Sequence, residues 1–139
     1  MTTEVGPGFD AVSLLVGAPV AMVAADATLH EVADAMVAAS VGALVVEEED
    51  GDGAVGIVSE RDIVGSLAKR CDPATTRARD IAHTTLVWCD AEATVAEVAA
   101  RMMDCYVRHV LVEAGGRLVG IVSARDLLGT YASADMATE

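Results

Sequence analysis

The stretch Gly56-Ile-Val-Ser-Glu-Arg-Asp-Ile-Val-Gly-Ser-Leu-Ala68 decides the fold of this chain, because it occurs twice. It returns as Gly120-Ile-Val-Ser-Ala-Arg-Asp-Leu-Leu-Gly-Thr-Tyr-Ala132, with eight of 13 positions identical at an offset of 64. Upstream, Thr28-Leu-His-Glu-Val-Ala33 matches Thr94-Val-Ala-Glu-Val-Ala99 at an offset of 66. Two matched blocks in the same order indicate a tandem duplication. The first copy has two extra residues in the acidic stretch 47–53, as expected for the tip of a hairpin.

Each half of the duplication predicts the same first two elements. Short apolar runs at residues 20–23 and 86–89 are typical of buried strands. Thr28 and Thr94 are each followed three residues later by a glutamate, which is the capping-box pattern of a helix start. Apolar residues then recur at helical spacing and predict an amphipathic helix of about 12 residues. These positions are Leu29, Val32, Ala33, Met36 and Val37 in the first half and Val95, Val98, Ala99 and Met102 in the second.

A β-hairpin and a second helix complete each half. Two apolar runs flank a turn that contains Gly-Asp-Gly in the first half and Ala-Gly-Gly in the second, which predicts a hairpin. Ser59 and Ser123 then open the second helix, so the order β-α-β-β-α occurs twice. The paired runs are 43–46 with 54–58 in the first half and 109–112 with 117–122 in the second.

One copy of about 60 residues is marginal as an independent domain, so the two copies are expected to share a core. This predicts an α+β architecture in which the repeats pack with pseudo-two-fold symmetry and leave equivalent clefts between them, where ligands commonly bind. Pro73 prevents a helix from continuing between the copies. The expected boundaries are an N-terminal tail 1–10, a first repeat 11–71, a linker 72–76, a second repeat 77–132 and a C-terminal tail 133–139.

The composition limits the kinds of molecule that the chain is expected to bind. The chain has 139 residues, of which 53% are hydrophobic, and a formal net charge of −13. The apolar content predicts a folded core, while the acidic charge argues against a nucleic-acid polymer or an anionic membrane surface as partner. The longest apolar stretch, residues 16–25, is about half the roughly 20 residues needed to cross a membrane.

The chain shows no catalytic or metal-binding pattern. Cys71, Cys89 and Cys105 lack CxxC spacing, which predicts reduced thiols in the cytoplasm rather than disulfides or a zinc site. Because residues 1–4 lack a basic region, we expect no secretory signal there. Zincin, P-loop and Ser-His-Asp patterns are absent from the sequence, so we expect neither an enzyme nor a required cofactor.

The repeated Ser-x-Arg-Asp block has a structural and a functional interpretation. A serine followed three residues later by an aspartate stabilises a helix start by about 1 kcal/mol. The same helix N-terminus can also receive a phosphate, an arginine can bind that phosphate, and a carboxylate can accept hydrogen bonds from a ribose diol. The two interpretations are compatible, and the second makes a nucleotide site plausible in each copy.

Both halves carry the pattern Gly-h-h-Ser-x-x-Asp after a hairpin, where h is a hydrophobic residue and x is any residue. In this pattern the chain resembles the tandem cystathionine-β-synthase (CBS) domain pair, or Bateman module. The resemblance covers about 85% of the chain, from residue 12 to 131, and Val107-Arg108-His109-Val-Leu-Val112 also fits the family's second strand. It implies β-α-β-β-α repeats and a cleft for AMP, ADP, ATP or S-adenosylmethionine, bound as a regulatory ligand. It also implies a homodimer.

The resemblance further implies the site residues. Asp62 and Asp126 would hold ribose hydroxyls, Ser59 and Ser123 would contact phosphate or ribose, and Arg61 and Arg125 would lie near phosphate. The first strands would offer backbone groups and apolar walls to adenine. The residues expected there are Val20 and Ala21 in the first repeat and Leu86 and Val87 in the second.

The two copies differ at one informative place. Arg108 and His109 of the second repeat resemble basic pairs that reach phosphates in the family, whereas the first repeat has Gly42 and Ala43 there. We therefore expect unequal sites, with the order of affinity left open. His83 is expected to be structural or solvated. The function expected is that of an adenosine-ligand sensor acting on a separate, unidentified protein, and the alternative is a ligand-free interaction module that homodimerises or scaffolds a partner.

Overall fold

The computed structural model describes residues 8, 10–16, 20–48 and 53–137 and confirms an α+β fold with two three-stranded sheets. The tip of the first hairpin and both chain ends lie outside the described residues, as do the side chains of 133–137. The chain forms two compact units. Val20–Leu86 makes up one unit, and the chain from Val87 onward makes up the other together with the N-terminal segment. We call residues 56–62 the first motif and 120–126 the second motif, and we name each unit after its motif.

The first-motif unit follows the predicted order and adds one short helix. Its sheet has β2 in the centre, parallel to β1 and antiparallel to β3. Apolar side chains of β2 and β3 pack against α1, with Val32, Val46 and Val58 fully buried. The elements are β1 Met22–Ala24, α1 Leu29–Ala39, β2 Ala43–Glu47, β3 Ala54–Ser59, α2 Glu60–Ala68 and α3 Ala78–Ile81.

The second-motif unit repeats this plan. Its central strand β5 is parallel to β4 and antiparallel to β6, and its core contains Val95, Val110 and Val122. A 3-10 helix in the N-terminal segment contributes Val12 to the same core. The elements are the 3-10 helix Val12–Leu15, β4 Trp88–Asp90, α4 Val95–Cys105, β5 His109–Ala114, β6 Arg117–Ser123 and α5 Ala124–Ala137.

The predicted capping boxes are present. Thr28 and Glu31 exchange hydrogen bonds of 2.8 and 3.2 Å at the start of α1, and Thr94 and Glu97 exchange hydrogen bonds of 3.3 and 3.1 Å at the start of α4. The apolar stripe of α1 is narrower than predicted, because Val37 is 80% exposed. No helix among the described residues combines the length and apolar character needed to span a bilayer.

The first strands begin later than the sequence suggested. Residues 20–23 and 86–89 were expected as strands, but β1 begins at Met22 and β4 at Trp88. The reason for this correction is that a residue belongs to a β-strand only where its backbone pairs with a neighbouring strand. The apolar runs extend beyond the three residues of each strand that pair with β2 or β5.

The compact units also group the chain differently from the sequence repeats. Residues 77–86, expected at the start of the second repeat, belong to the first-motif unit. There the amide of Ala78 donates to the carbonyl of Ala27, at 2.8 Å. In the second-motif unit the amide of Val12 donates equivalently to the carbonyl of Ala93, at 2.8 Å. Residues 77–86, from the second sequence repeat, therefore complete the unit whose sheet comes from the first repeat. The N-terminal segment, from the first repeat, completes the unit whose sheet comes from the second repeat.

Candidate functional site

Gly56 brings a distant segment against the edge of β3. A β-carbon at this glycine would lie 2.9 Å from the Cβ of Ala82 and 3.0 Å from the carbonyl oxygen of His83, so only glycine permits the approach. Ile57 and His83 exchange backbone hydrogen bonds of 3.0 and 2.9 Å beside it. The pairing holds the imidazole of His83 at the start of α2, where the first motif ends.

The side chains of the first motif form a network of hydrogen bonds at the start of α2. Oδ2 of Asp62 accepts hydrogen bonds from the amide of Ser59 at 2.8 Å and from its hydroxyl at 2.9 Å. The hydroxyl of Ser66 donates to the backbone carbonyl of Asp62 at 2.9 Å. The structural interpretation of the Ser-x-x-Asp pattern as a helix cap is therefore correct, and Arg61 extends outward beside it as an exposed side chain.

His83 completes this network, which sequence reasoning did not anticipate. Its Nε2 lies 2.6 Å from Oδ1 of Asp62, with the histidine side chain 72% exposed and the aspartate side chain 12% exposed. His83 is thus both largely solvated and part of the local structure, in line with the expectation, but its partner was not predicted. The two residues are 21 positions apart, and the motif itself carries no signal of the contact.

The second motif has the same cap and is more open. Oδ2 of Asp126 accepts from the amide of Ser123 at 2.8 Å, and the hydroxyl of Ser123 accepts from the amide of Asp126 at 3.0 Å. Asp126 and Arg125 are both exposed at the start of α5. His109 is paired with Ser123 in the β5–β6 ladder, so the basic pair of the second repeat lies beside this motif.

The charged side chain beside the start of α2 is acidic, whereas the one beside the start of α5 is basic. The amide of Ala124 donates to the carbonyl of Arg108 at 2.8 Å, and the amide of Glu60 donates equivalently to the carbonyl of Gly42 at 2.9 Å. A carboxylate oxygen of Glu60 lies 2.5 Å from where a β-carbon of Gly42 would be. A carboxylate thus occupies the place beside the first motif that corresponds to the arginine position beside the second. Glu60 was not singled out from the sequence, although its replacement by Ala124 in the other copy is visible there.

The residues expected to face adenine directly precede β1 and β4 in the chain. The carbonyl of Ala21 accepts from the amide of Val45 at 3.1 Å, and that of Val87 accepts from the amide of Leu111 at 2.8 Å. These two carbonyls are therefore used within their own sheets. Val20, Ala21 and Leu86 belong to the first-motif unit and Val87 to the second-motif unit. Within the first-motif unit, Ala21 precedes the edge strand β1, whereas His83 pairs with the opposite edge strand, β3.

Clusters of potential metal ligands are absent from the described part of the chain. Among residues 8, 10–16, 20–48 and 53–137, no three or more histidine, cysteine, aspartate or glutamate side chains form a group that could hold one. The described cysteines, Cys71, Cys89 and Cys105, all have free thiols.

Two β-α-β-β-α units that each carry a Gly-h-h-Ser-x-Arg-Asp turn define a tandem repeat protein of the CBS class. The sequence pattern of the CBS domain matches the chain twice, at residues 13–69 and 78–133. The chain therefore belongs to the CBS domain family, as the motif indicated.

Relatives of known sequence or structure cover most of the chain. Hypoxic response protein 1 of Mycobacterium tuberculosis is 35% identical over 114 residues, which are 81% of this chain and 79% of that protein. A CBS domain protein from Pyrobaculum aerophilum complexed with AMP is 30% identical, with a TM-score of 0.75 over 89% of this chain and 99% of that one. Hypoxic Response Protein I with two coordinated zinc ions is 33% identical, with a TM-score of 0.69 over 86% and 97% of the two chains.

Proposed function

We propose that this chain is a regulatory CBS-pair protein that binds an adenosine-containing ligand at its Ser-x-Arg-Asp motifs. The ligand would be AMP, ADP, ATP or S-adenosylmethionine, and its binding would shift a conformational equilibrium that a partner protein senses. The proposal includes a regulatory rather than catalytic role. It also includes a reducing, cytoplasmic setting, which suits the three free thiols.

The observation that carries this proposal is the second motif. Its helix start combines the exposed carboxylate of Asp126, the exposed guanidinium of Arg125 and the neighbouring exposed Arg108. A carboxylate suits a ribose diol, and arginine suits a phosphate in planar, bidentate geometry. A relative of 30% identity and closely similar fold is complexed with AMP, which supports the same ligand class for this chain.

A thermal-shift assay with each of the four ligands tests the proposal. A ligand at 100 times its Kd stabilises the folded state by about 2.7 kcal/mol, and each kcal/mol raises Tm by roughly 2–8 °C. We expect Asp126→Ala to remove the shift of the ligand that binds the second motif. Glu97→Ala is the matched control, because it also removes a capping-box carboxylate but lies at the start of α4. No shift with any of the four ligands at millimolar concentration would refute the proposal.

A second candidate function is that of a ligand-free interaction module that forms a homodimer. The helices of the two units expose large apolar side chains at corresponding positions. Val37 on α1 is 80% exposed and Met103 on α4 is 76% exposed, at an offset of 66. Val64 on α2 is 65% exposed and Leu128 on α5 is 69% exposed, at an offset of 64. Apolar surface that recurs in both units favours burial against a second copy of the chain.

Light scattering separates the two states of association. A homodimer has about twice the 14.3 kDa mass of the chain. We expect Val37→Glu with Met103→Glu to yield the monomer, whereas Ala38→Glu with Asp104→Ala, on the same helices, should keep the dimer. A wild-type chain that stays monomeric at high concentration would oppose the dimer, without bearing on ligand binding.

A further inference from the structure

The two motif carboxylates differ in how much hydrogen-bonding capacity they have left. An ionised carboxylate has about four acceptor positions, two on each oxygen. Oδ2 of Asp62 already accepts two hydrogen bonds from Ser59, and Oδ1 is engaged by His83 at 2.6 Å. One of the four positions therefore remains for a ligand.

Asp126 keeps most of its capacity. Its Oδ2 accepts from the amide of Ser123, and within the described ranges no other hydrogen bond to this carboxylate is found. Three positions remain, and the side chain is exposed. A ribose diol donates two hydrogen bonds, one from each hydroxyl, so Asp126 can accept both while Asp62 can accept one.

His83 is the cause of this difference at Oδ1. Because an ionised carboxylate only accepts, Nε2 of His83 must carry the proton and donate it into the contact. The contact is held in place by the backbone pairing of His83 with Ile57. At an offset of 66 in the sequence, the position of His83 is taken by Gly17, so the second copy has no histidine at the aligned position.

The neighbouring charges act in the same direction. The carboxylate of Glu60 lies over Gly42 beside the first motif, and it repels a phosphate. At the equivalent place beside the second motif stands Arg108, which attracts one. The ribose and the phosphate of a nucleotide are therefore both better accommodated at the second motif.

We propose that the second motif is the high-affinity nucleotide site and that His83 is a positioning residue that keeps the first motif weak by occupying Asp62. This inference rests on the proposed function and adds an order of affinity and a cause for it. AMP fills the second motif first, and it binds the first motif only weakly while His83 occupies Oδ1 of Asp62.

Calorimetric titration of the full chain with AMP tests the inference. We expect two sites that differ in Kd by at least about ten-fold, which corresponds to about 1.4 kcal/mol. Asp126→Ala should remove the tight site. Adding His83→Ala to that variant should tighten the remaining site by about ten-fold, because Oδ1 of Asp62 becomes available. Adding His83→Gln instead should leave it weak, because the glutamine amide still donates to the carboxylate.

Two controls keep the interpretation specific. His30→Ala removes an exposed histidine from the start of α1 and should leave both affinities unchanged. If Asp126→Ala does not fold, backbone amide shifts of Asp62 and Asp126 in the wild-type chain report the occupancy of each motif during the titration. A gain in affinity is a readout that structural damage at His83 would not produce.

The outcomes separate the two proposals. No AMP binding by the wild-type chain would overturn the proposed function and this inference with it. Two sites of equal affinity, or a first motif that fills before the second, would overturn the inference alone. The same holds if His83→Ala weakens the first motif or leaves it unchanged.

Discussion

Val16 lies directly over Gly120, so that a β-carbon on this glycine would be 3.0 Å from the Cβ of Val16 and 2.6 Å from its Cγ2. The contact joins the N-terminal segment to β6 of the second-motif unit. It corresponds to the approach of Ala82 to Gly56 in the first-motif unit. Each unit thus depends on a strand glycine to accept a segment from outside its own sequence repeat.

Gly120→Ala should destabilise the fold, because the added methyl group overlaps a branched side chain beside the core. Overpacking of this kind costs about 1–3 kcal/mol. Urea denaturation followed by circular dichroism measures the free energy of unfolding. Gly129→Ala on α5 is the control, because a β-carbon there meets nothing within 4 Å. It should be neutral or stabilise by about 0.4–1 kcal/mol. Equal effects of the two substitutions would contradict the close contact.

The charge reversal beside the motifs predicts opposite effects of two substitutions. Arg108→Ala should weaken the binding of AMP about three- to ten-fold, with a smaller loss at high salt, because the charged side chain is exposed. Glu60→Ala, which copies Ala124 of the second repeat, should strengthen AMP binding at the first motif. Arg117→Ala, an exposed arginine at the start of β6, is the control. If Arg108→Ala and Arg117→Ala weaken binding equally, the effect comes from overall charge alone.

The capping box of α1 makes a prediction about pH. Hydrogen bonds from the backbone amide and the side chain of Thr28 hold the pKa of Glu31 below its ordinary value of 4.5. The ionised carboxylate therefore stabilises the fold above pH 4.5, and this contribution is lost as the pH falls through the lowered pKa. In Thr28→Ala the backbone amide still donates, so the pKa of Glu31 should rise part of the way toward 4.5. NMR titration of its side chain measures the change.

The same substitution should cost about 1 kcal/mol of stability at neutral pH, as loss of an N-cap hydroxyl does. Thr85→Ala provides the comparison, because Thr85 is exposed and precedes no helix. An unchanged pKa of Glu31 in Thr28→Ala would show that the threonine hydroxyl plays no part in lowering it.

The cysteines should differ in reactivity. Burial raises the pKa of the Cys89 thiol, with the carboxylates of Asp90 and Glu113 adding to the rise and Arg101 opposing it. The thiolate is the reactive form. Cys105 is exposed at the end of α4, so iodoacetamide near pH 8 should modify it first and Cys89 last. Mass spectrometry over time gives the order, and the difference should vanish in denaturant. Faster modification of Cys89 in the folded chain would contradict the burial.

The sequence was sufficient for elements whose signal is local. The Thr-x-x-Glu and Ser-x-x-Asp patterns placed four helix starts correctly, because a capping box is formed by residues three positions apart. The two hairpins were found for the same reason, since antiparallel neighbours lie close in sequence. The first strands were placed two residues early, because the ladder that defines them is formed with a strand beyond the intervening helix.

The duplication itself, the CBS family and the side chains at each motif were therefore determined by the sequence alone. Only the tertiary structure decided which segment completes each unit. Residues 10–16 and 76–82 share no identical residue at the offset of 66, yet they make equivalent backbone hydrogen bonds. Backbone pairing does not depend on side-chain identity, so no sequence match records it. The contact of His83 with Asp62 arises from that pairing, and so does the difference we infer between the two motifs.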